Sequence, residues 1–173
     1  FRRVLFRSGY GRVDRKPSGQ LVLEPRAPAS ASDTHSALVL DSESERRPLR
    51  DFRIQVRFVI ERQLRASSPP NPWEVLWIFF RYRRTPDGKK ETNYFILKPN
   101  GIELGRAYGE MGQTFLYTAE TPKLPGTARE ISLELIVKGQ WLEARIDGKP
   151  ALKLSLQERH PGFFDQPGAL GLY

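Results

Sequence analysis

Hydrophobic and polar residues alternate along much of this chain, which is typical of strands that turn one face toward a core. In residues 51–61, five apolar side chains fall on one face: Phe52, Ile54, Val56, Phe58 and Ile60. The same spacing returns in residues 131–137, with Ile131, Leu133, Leu135 and Val137. Both segments are therefore predicted to be half-buried strands.

The strongest local signal is a predicted β-hairpin in the carboxyl-terminal part of the chain. An alternating run at 142–146 leads into Asp147-Gly148, and a second alternating run follows at 152–156. Asp-Gly favours a two-residue hairpin turn, because both residues tolerate the positive φ that this turn requires. The two runs are therefore predicted to pair as neighbouring strands.

Shorter segments predict the rest of an all-β fold. Seven of them have strand-like composition: 20–24, 34–40, 74–82, 92–98, 101–105, 113–118 and 169–173. Loops rich in small and turn-forming residues separate them: 25–33, 66–72, 85–90, 108–112 and 121–127. A helical turn fits 42–50 or 156–160. Many short strands without helical periodicity predict an antiparallel two-sheet jelly-roll sandwich.

The composition narrows the possible chemistry. The 173 residues are 39% hydrophobic and include no cysteine, which excludes disulfides, thiol catalysis and cysteine-bound metals. No apolar run approaches the ~18 residues of a membrane span, and the longest, 75–80, ends at Arg81. The two histidines, His35 and His160, lie in no ligand-type spacing. We therefore expect no metal and no other cofactor.

The net charge of +8 depends partly on the first eight residues, FRRVLFRS. This segment resembles translated adaptor sequence, and without its three arginines 25 basic against 20 acidic residues give +5. We expect 1–8 to be a non-native leader, with an authentic basic arm as the alternative, and 9–173 to form one β-sandwich domain. The remaining basic residues are scattered among acidic ones, which argues against a nucleic-acid partner.

Several segments resemble one family. They are THSALV at 34–39, NPWEVLW at 71–77, FILKPNGIELG at 95–105, IDG at 146–148 and GALGLY at 168–173. Together they are similar to a bacterial branch of the concanavalin A-like lectin/glucanase superfamily, whose relatives include laminin-G-like modules and the 3-keto-disaccharide hydrolase domain. The resemblance covers 10–173. It implies a concanavalin A-like jelly roll and a secreted or periplasmic location.

The resemblance also implies an incomplete domain. Relatives begin with a further strand and continue past the GLY at 171–173 into a last strand, so this chain is expected to lack terminal strands. A calcium site that relatives build from those strands would be lost with them. Lectins, hydrolases, lyases and adhesion modules all occur in the superfamily, so the fold does not select an activity.

Residues 71–81 are the leading candidate for a glycan site. Such sites on β-sandwiches combine aromatic faces for sugar rings with charged or amide groups for hydroxyls. Alternation places Trp73, Trp77 and Arg81 on one side of the predicted strand and Glu74 on the other. Both sides are largely apolar. The alternative is therefore that both tryptophans belong to the core, where each indole N–H needs a partner.

A pair of carboxylates would turn such a site into a glycosidase. Glu74 lies among apolar residues, which predicts a raised pKa and a role as general acid. A glycosidase needs a second carboxylate, and the candidates are Glu103, Glu110 and Asp165. Nothing in their spacing selects one, and Glu103 is taken as the working choice. The Glu-x-Asp-x-x-Glu pattern of the superfamily's glucanases is absent. A single structural or sugar-binding glutamate is the competing interpretation.

Further binding residues are predicted on the neighbouring strand and at the rim of the groove. Tyr94 and Lys98 alternate onto one face and would share a concave groove with Arg81, unless that face is simply solvated. The full predicted binding set is His35, Gln63, Trp73, Trp77, Arg81, Tyr94 and Lys98. Since alternation separates Glu74 from Trp77, the two can share a face only if the strand contains a bulge.

These observations predict a β-sandwich that binds or processes a carbohydrate in a concave aromatic and charged groove, with a glycan or polysaccharide as its partner. A glycoside hydrolase whose carboxylate pair includes Glu74 is the first alternative. A protein-interaction or adhesion module without glycan chemistry is the second.

Overall fold

The computed structural model describes residues 11–30, 36–66, 68–109, 112–155 and 164–173. Within these ranges the chain forms twelve strands and one short helix. In chain order they are β1 (Gly11–Arg15), β2 (Leu21–Pro25), β3 (Val39–Leu40), α1 (Ser42–Arg46), β4 (Phe52–Val59), β5 (Trp77–Arg84), β6 (Lys90–Lys98), β7 (Gly101–Tyr108), β8 (Gly112–Ala119), β9 (Glu130–Lys138), β10 (Trp141–Ile146), β11 (Lys149–Ser155) and β12 (Ala169–Leu172). Among the described residues, no helix has the length and hydrophobicity of a membrane-spanning segment.

The strands form two main antiparallel sheets and a separate hairpin. One sheet has six strands in the order β3-β12-β5-β6-β7-β8, and the other has four in the order β11-β10-β9-β4. The hairpin consists of β1 and β2. The inner faces of the two main sheets enclose a shared hydrophobic core. This is the antiparallel two-sheet jelly-roll sandwich that the alternation predicts.

The core consists of the alternating apolar residues of both sheets. On β9, Ile131, Leu133 and Leu135 are almost fully buried, and the apolar positions of β4 pack toward the same core. Across the core, Phe52 of β4 contacts Phe80 of β5, with ring centroids 5.5 Å apart. Burying one such side chain contributes about 1.5–3 kcal/mol. Both strands predicted from the longest alternating runs are confirmed.

The hairpin predicted at Asp147-Gly148 is confirmed as the connection between β10 and β11. Asp147 has φ 50° and Gly148 has φ 77°, so both turn residues adopt the left-handed region that a type I′ turn requires. The Asp147 carboxylate also accepts a hydrogen bond from the backbone N–H of Ser132 at 2.9 Å. The turn is therefore fixed to the neighbouring strand β9 as well as to its own hairpin.

β11 is the outer strand of the four-stranded sheet in the part of the chain that the structure describes. Its exposed positions include Lys149, Pro150 and Lys153. The register between β10 and β11 shifts by one residue between Ala144 and Arg145. Lysine, proline and an irregular register are features that natural edge strands use to discourage pairing with other chains.

Some strands differ from the prediction. The pattern misses β1, because this short strand is mostly polar; it pairs with β2 and is joined to it by Arg12 and Glu24, whose side chains are 2.8 Å apart. The strand predicted at 34–40 is described as β3 alone, since 31–35 lie outside the described residues. β5 begins at Trp77, three residues later than predicted.

One predicted helical turn is present as α1. The carboxylate of Asp41 accepts a hydrogen bond from the backbone N–H of Ser44 at 3.0 Å, which is the usual arrangement of a helix N-cap. The alternative turn at 156–160 and the leader at 1–8 lie outside the described residues, as do residues 110 and 111 of a predicted loop. A single domain over 9–173 without terminal strands stays a prediction.

Candidate functional site

The six-stranded sheet is apolar on both faces. Its inner face contributes to the core between the sheets, and its opposite side, which we call the outer face, carries a second cluster of buried residues. The members of this cluster are Leu38, Leu40, Phe79, Tyr82, Tyr94, Ile96 and Ala169. The protein's own side chains therefore cover the middle of the outer face between β3 and β6, where the sequence predicted an open groove.

Trp77 belongs to this packed cluster. Its ring centroid is 4.6 Å from that of Tyr94 and 5.9 Å from that of Tyr173. The indole Nε1–H donates a hydrogen bond to the backbone carbonyl of Trp73 at 2.8 Å. Trp73 itself precedes the strand and is 47% exposed. Of the two tryptophans predicted to bind a ligand, the structure leaves Trp73 accessible and packs Trp77 against its neighbours.

Polar side chains form a network farther along the outer face. The Tyr94 hydroxyl donates to Glu103 Oε1 at 2.8 Å, and Lys98 Nζ lies 2.5 Å from Glu103 Oε2. Gln113 of β8 donates its side-chain N–H to the Tyr94 oxygen at 2.5 Å. Burial raises the pKa of Tyr94, and although Gln113 lowers it, Glu103 raises it further, so the hydroxyl stays a donor. The structure thus brings together three residues predicted from the sequence, Tyr94, Lys98 and Glu103, and adds Gln113.

The strand register explains this arrangement. Tyr94 of β6 is paired with Gly105 of β7, which is paired in turn with Phe115 of β8. A Cβ atom on Gly105 would lie 2.2 Å from the Tyr94 oxygen, so the Tyr94 side chain occupies the space that a side chain at 105 would need. Phe115 is 62% exposed. An exposed ring therefore lies beside the ordered polar network.

We call this region the β8 surface: Gln113, Phe115 and Thr118, backed by Tyr94, Lys98 and Glu103. Sequence reasoning could not group Thr118 with Gln113 and Phe115 because the register between β7 and β8 shifts between Leu104 and Gly105. After that bulge, Phe115 and Thr118 face the same side although they are three residues apart in sequence. The sequence signal that could have indicated this surface is Phe115, a phenylalanine on the side of β8 that otherwise carries the polar residues Gln113 and Thr118.

Arg81 is placed differently from the prediction. A bulge between Phe80 and Arg83 interrupts the alternation of β5, and Arg81 has φ 54°. Its side chain is fully buried and donates to the backbone carbonyls of Arg50 at 2.9 Å and Phe164 at 3.2 Å. A third contact joins it to Asp165 at 3.2 Å. The prediction that Arg81 shares a groove with Tyr94 and Lys98 is wrong, because one extra residue redirects it.

Glu74 also differs from its predicted setting. It precedes β5, and its carboxylate accepts hydrogen bonds from the buried guanidinium of Arg65, at 2.8 Å from Nε, and from the backbone N–H of Asn71 at 3.2 Å. Burial alone would raise the pKa of Glu74, but the hydrogen bonds and charge of Arg65 and the hydrogen bonds of Asn71 lower it below its ordinary value. The prediction of a raised pKa is wrong. An ionised, partnered carboxylate is poorly suited to act as a general acid.

The Glu74–Arg65 pair gives a direct test of a structural role. Glu74→Gln is expected to lower the free energy of unfolding at pH 7 by about 1.5–3 kcal/mol, the range for hydrogen bonds to charged groups. Because the folded-state pKa is lowered, this stabilisation is present above the unfolded value of 4.5 and is lost as pH falls through the folded-state pKa. Urea unfolding at pH 7 and pH 3 should therefore show a difference that shrinks at the lower pH.

Glu61→Gln is the control for this experiment, since Glu61 is an exposed glutamate in the connection that also holds Arg65. Its expected effect is within about 0.5 kcal/mol. A Glu74→Gln effect that matched this control would contradict the structural assignment.

The other predicted residues are not brought into the network. Gln63 is exposed, and its side-chain oxygen accepts a hydrogen bond from the backbone N–H of Arg65 at 3.0 Å. Asp165 contacts Arg50 and Arg81. His35 and Glu110 lie outside the described residues. No group of three or more His, Asp or Glu side chains in the described ranges is arranged to hold a metal ion.

Comparison with solved structures relates the fold to a known protein. The carbohydrate binding module CBM66 from Bacillus subtilis matches with a TM-score of 0.62 and 14% sequence identity, over 95% of this chain and 84% of that chain. The two chains share a fold. No protein-family model matches this sequence, and no curated protein matches it either. At 14% identity, the likeness to the CBM66 module extends to architecture alone.

Proposed function

We propose that this chain is a carbohydrate-binding module of the concanavalin A-like superfamily that holds a glycan on the β8 surface. The observation that carries the proposal is the exposed ring of Phe115 beside a fixed set of hydrogen-bonding side chains. The shared fold with a carbohydrate binding module supports the same function.

The chemistry of the β8 surface suits a sugar. A pyranose or furanose ring presents C–H groups that pack on an aromatic face and hydroxyls that need donors and acceptors. Phe115 offers the apolar face, and Gln113 and Thr118 lie on the same side of β8. Gln113 uses its side-chain N–H on Tyr94, so its amide oxygen can accept from a sugar hydroxyl.

The buried part of the network supplies rigidity. Glu103 is held by Tyr94 and by Lys98, and Tyr94 in turn orients Gln113. Side chains that are fixed before the ligand arrives lose little conformational entropy on binding. Lys98 and Glu103 are therefore proposed to position the binding residues of β8, whereas the sequence assigned them to direct contact or catalysis.

Binding without hydrolysis is the function that the carboxylates support best. Glu74 is ionised and paired with Arg65, and Glu103 is occupied by Tyr94 and Lys98. A glycosidase needs one carboxyl group that stays protonated near neutral pH. The lowered pKa of Glu74 is the opposite of what that role requires, and both carboxylate oxygens of Glu103 are engaged by neighbouring side chains.

Phe115→Ala tests the proposal. A glycan array and a set of insoluble polysaccharides would first identify a ligand of the wild-type protein. Removing the ring is then expected to weaken binding about 10- to 100-fold, since an apolar side chain of this size contributes about 1.5–3 kcal/mol when covered. Stability should change by less than about 0.5 kcal/mol, because the ring is mostly exposed.

Trp141→Ala is the matched control, because Trp141 is also an exposed ring, at 56%, but belongs to β10 in the other sheet. It should leave glycan binding unchanged. If the wild-type protein bound no glycan, the interaction-module alternative would replace this proposal. If Trp141→Ala lost binding and Phe115→Ala kept it, the ligand surface would lie on the other sheet.

A further inference from the structure

A pocket lies at the margin of the packed cluster on the outer face of the six-stranded sheet, away from β8, and is lined in part by the cluster members Leu40, Tyr82 and Ala169. Its volume is about 330 Å³, at the lower end of the ~300–1,000 Å³ typical of small-molecule sites. α1, β5 and the segment before β12 contribute to its walls. Its wall includes Ser44, Glu45, Pro48, Tyr82, Arg84 and Pro167.

The carboxylate of Glu45 is the unusual group in this pocket. Among the residues that the structure describes, Glu45 Oε2 is buried and has no hydrogen-bond partner. Burial raises the pKa of Glu45, nearby Asp41 raises it further, and Arg84 lowers it without cancelling the effect. A buried polar atom without a partner costs roughly 1–3 kcal/mol. Such groups are few in native proteins, and a functional role is one of the common reasons for them.

The charged side chains around Glu45 restrict the charge that a ligand of this pocket can carry. Arg84 also lines the pocket and is near enough for its charge to act on both Glu45 and Tyr82. Arg83 is paired with Glu91 at 2.6 Å, and the Asp41 carboxylate caps α1. A cationic ligand would therefore meet two guanidinium groups in the pocket wall. An anionic group is favoured on the Arg84 side, where a guanidinium binds carboxylates well.

The remaining wall suits a ring that carries hydroxyls. Glu45 needs a hydrogen-bond donor, which a hydroxyl supplies. Burial raises the pKa of Tyr82, so its phenol stays protonated and can donate or accept. Pro48 and Pro167 add apolar surface for C–H groups. One small molecule with an anionic end and several hydroxyls would match all of these groups.

We propose that this pocket binds a sugar acid, with its carboxylate on Arg84 and its hydroxyls directed at Glu45 and Tyr82. The site is separate from the β8 surface and does not depend on the function proposed there. Both a free sugar acid and the terminal unit of an acidic polysaccharide have this chemistry.

Titration with free uronic acids tests the proposal. Glucuronic, galacturonic and mannuronic acid would each be added to the full chain and followed by NMR chemical shifts, with glucose as the neutral and glucosamine as the cationic comparison. At least one acid should bind, and it should bind at least about tenfold more tightly than either comparison sugar. Short oligomers of the preferred acid distinguish the two possible ligands. A site for the terminal unit of an acidic polysaccharide would bind them, whereas a site for the free sugar acid would not.

Two substitutions assign the binding to the pocket. Glu45→Gln and Arg84→Gln are each expected to weaken acid binding by at least about tenfold, the loss that accompanies a hydrogen bond to a charged group. Arg84→Gln should in addition abolish the preference for the acid over glucose. The thermal midpoint of Glu45→Gln should not fall, because the buried Oε2 that the amide replaces has no hydrogen-bond partner among the described residues. A binding loss would then not reflect unfolding.

Glu43→Gln is the control on the same helix, because Glu43 is exposed and contacts Arg46 rather than the pocket. Arg57→Gln is the control for the arginine, since Arg57 is exposed on the other sheet. Both should bind as the wild-type protein does. The proposal is overturned if none of the three acids binds, if glucose binds as tightly as the acids, or if both pocket variants keep wild-type affinity.

Discussion

Replacing Arg81 with alanine is expected to lower the free energy of unfolding by about 3–5 kcal/mol. The side chain is fully buried and donates to backbone carbonyls of two separate loops, at Arg50 and Phe164. Its removal leaves a cavity and takes a donor from each carbonyl, and these two costs add. Chemical denaturation monitored by tryptophan fluorescence would measure the change.

Arg83→Ala is the comparison for this variant, because Arg83 lies two residues away on the same strand and pairs with Glu91 at a partly exposed position. Exposed pairs contribute about 0–1 kcal/mol, so its effect should be much smaller. Arg81→Lys should fall between the two, since an ammonium group cannot reproduce the guanidinium fork. Equal losses for Arg81→Ala and Arg83→Ala would show that the loops around residues 50 and 164 do not depend on Arg81.

The second large effect is expected from Gly105→Ala, which should both destabilise the fold and abolish glycan binding. The added methyl group would lie 2.2 Å from the Tyr94 oxygen, so the Tyr94 ring must move. Crowding a packed site costs about 1–3 kcal/mol, and each displaced hydrogen bond adds about 0.5–1.5 kcal/mol. Denaturation and glycan binding would be measured on the same sample.

Gly126→Ala is the matched control, because a Cβ atom at Gly126 meets nothing within 4 Å. A double-mutant cycle then tests whether the clash with the Tyr94 ring is what destabilises Gly105→Ala. Once Tyr94→Ala has removed the ring, adding Gly105→Ala should cost little, because the two substitutions act on one contact. If the costs of Gly105→Ala and Tyr94→Ala simply added, the ring at 94 would not be the reason for glycine at 105.

The fold could be predicted because strand alternation and turn chemistry are local properties of a sequence. The burial of the apolar residues of β9 and the conformation of the Asp147-Gly148 turn each follow from a pattern only a few residues long. The candidate site could be predicted only in part. Tyr94, Lys98 and Glu103 lie on adjacent strands joined by a short turn, so their grouping follows from hairpin pairing.

What sequence reasoning missed depends on bulges and on loop contacts. One extra residue in β5 redirects Arg81, and another in β8 brings Phe115 and Thr118 to the same side. Alternation has no marker for such insertions, and every side chain beyond them changes face. The partner of Glu74 was missed for a different reason. Arg65 lies in an irregular connection, where no periodicity links two positions nine residues apart.

The composition of the outer strand β11 bears on how the protein behaves when it is concentrated. A second copy that extended the four-stranded sheet sideways would meet Pro150, which offers no amide hydrogen, and would bring the charges of Lys149 and Lys153 near their counterparts. Intermolecular sheet growth along this side is therefore disfavoured. Solutions at millimolar concentration should resist fibril formation from this edge, and Pro150→Val combined with Lys153→Val should weaken that resistance.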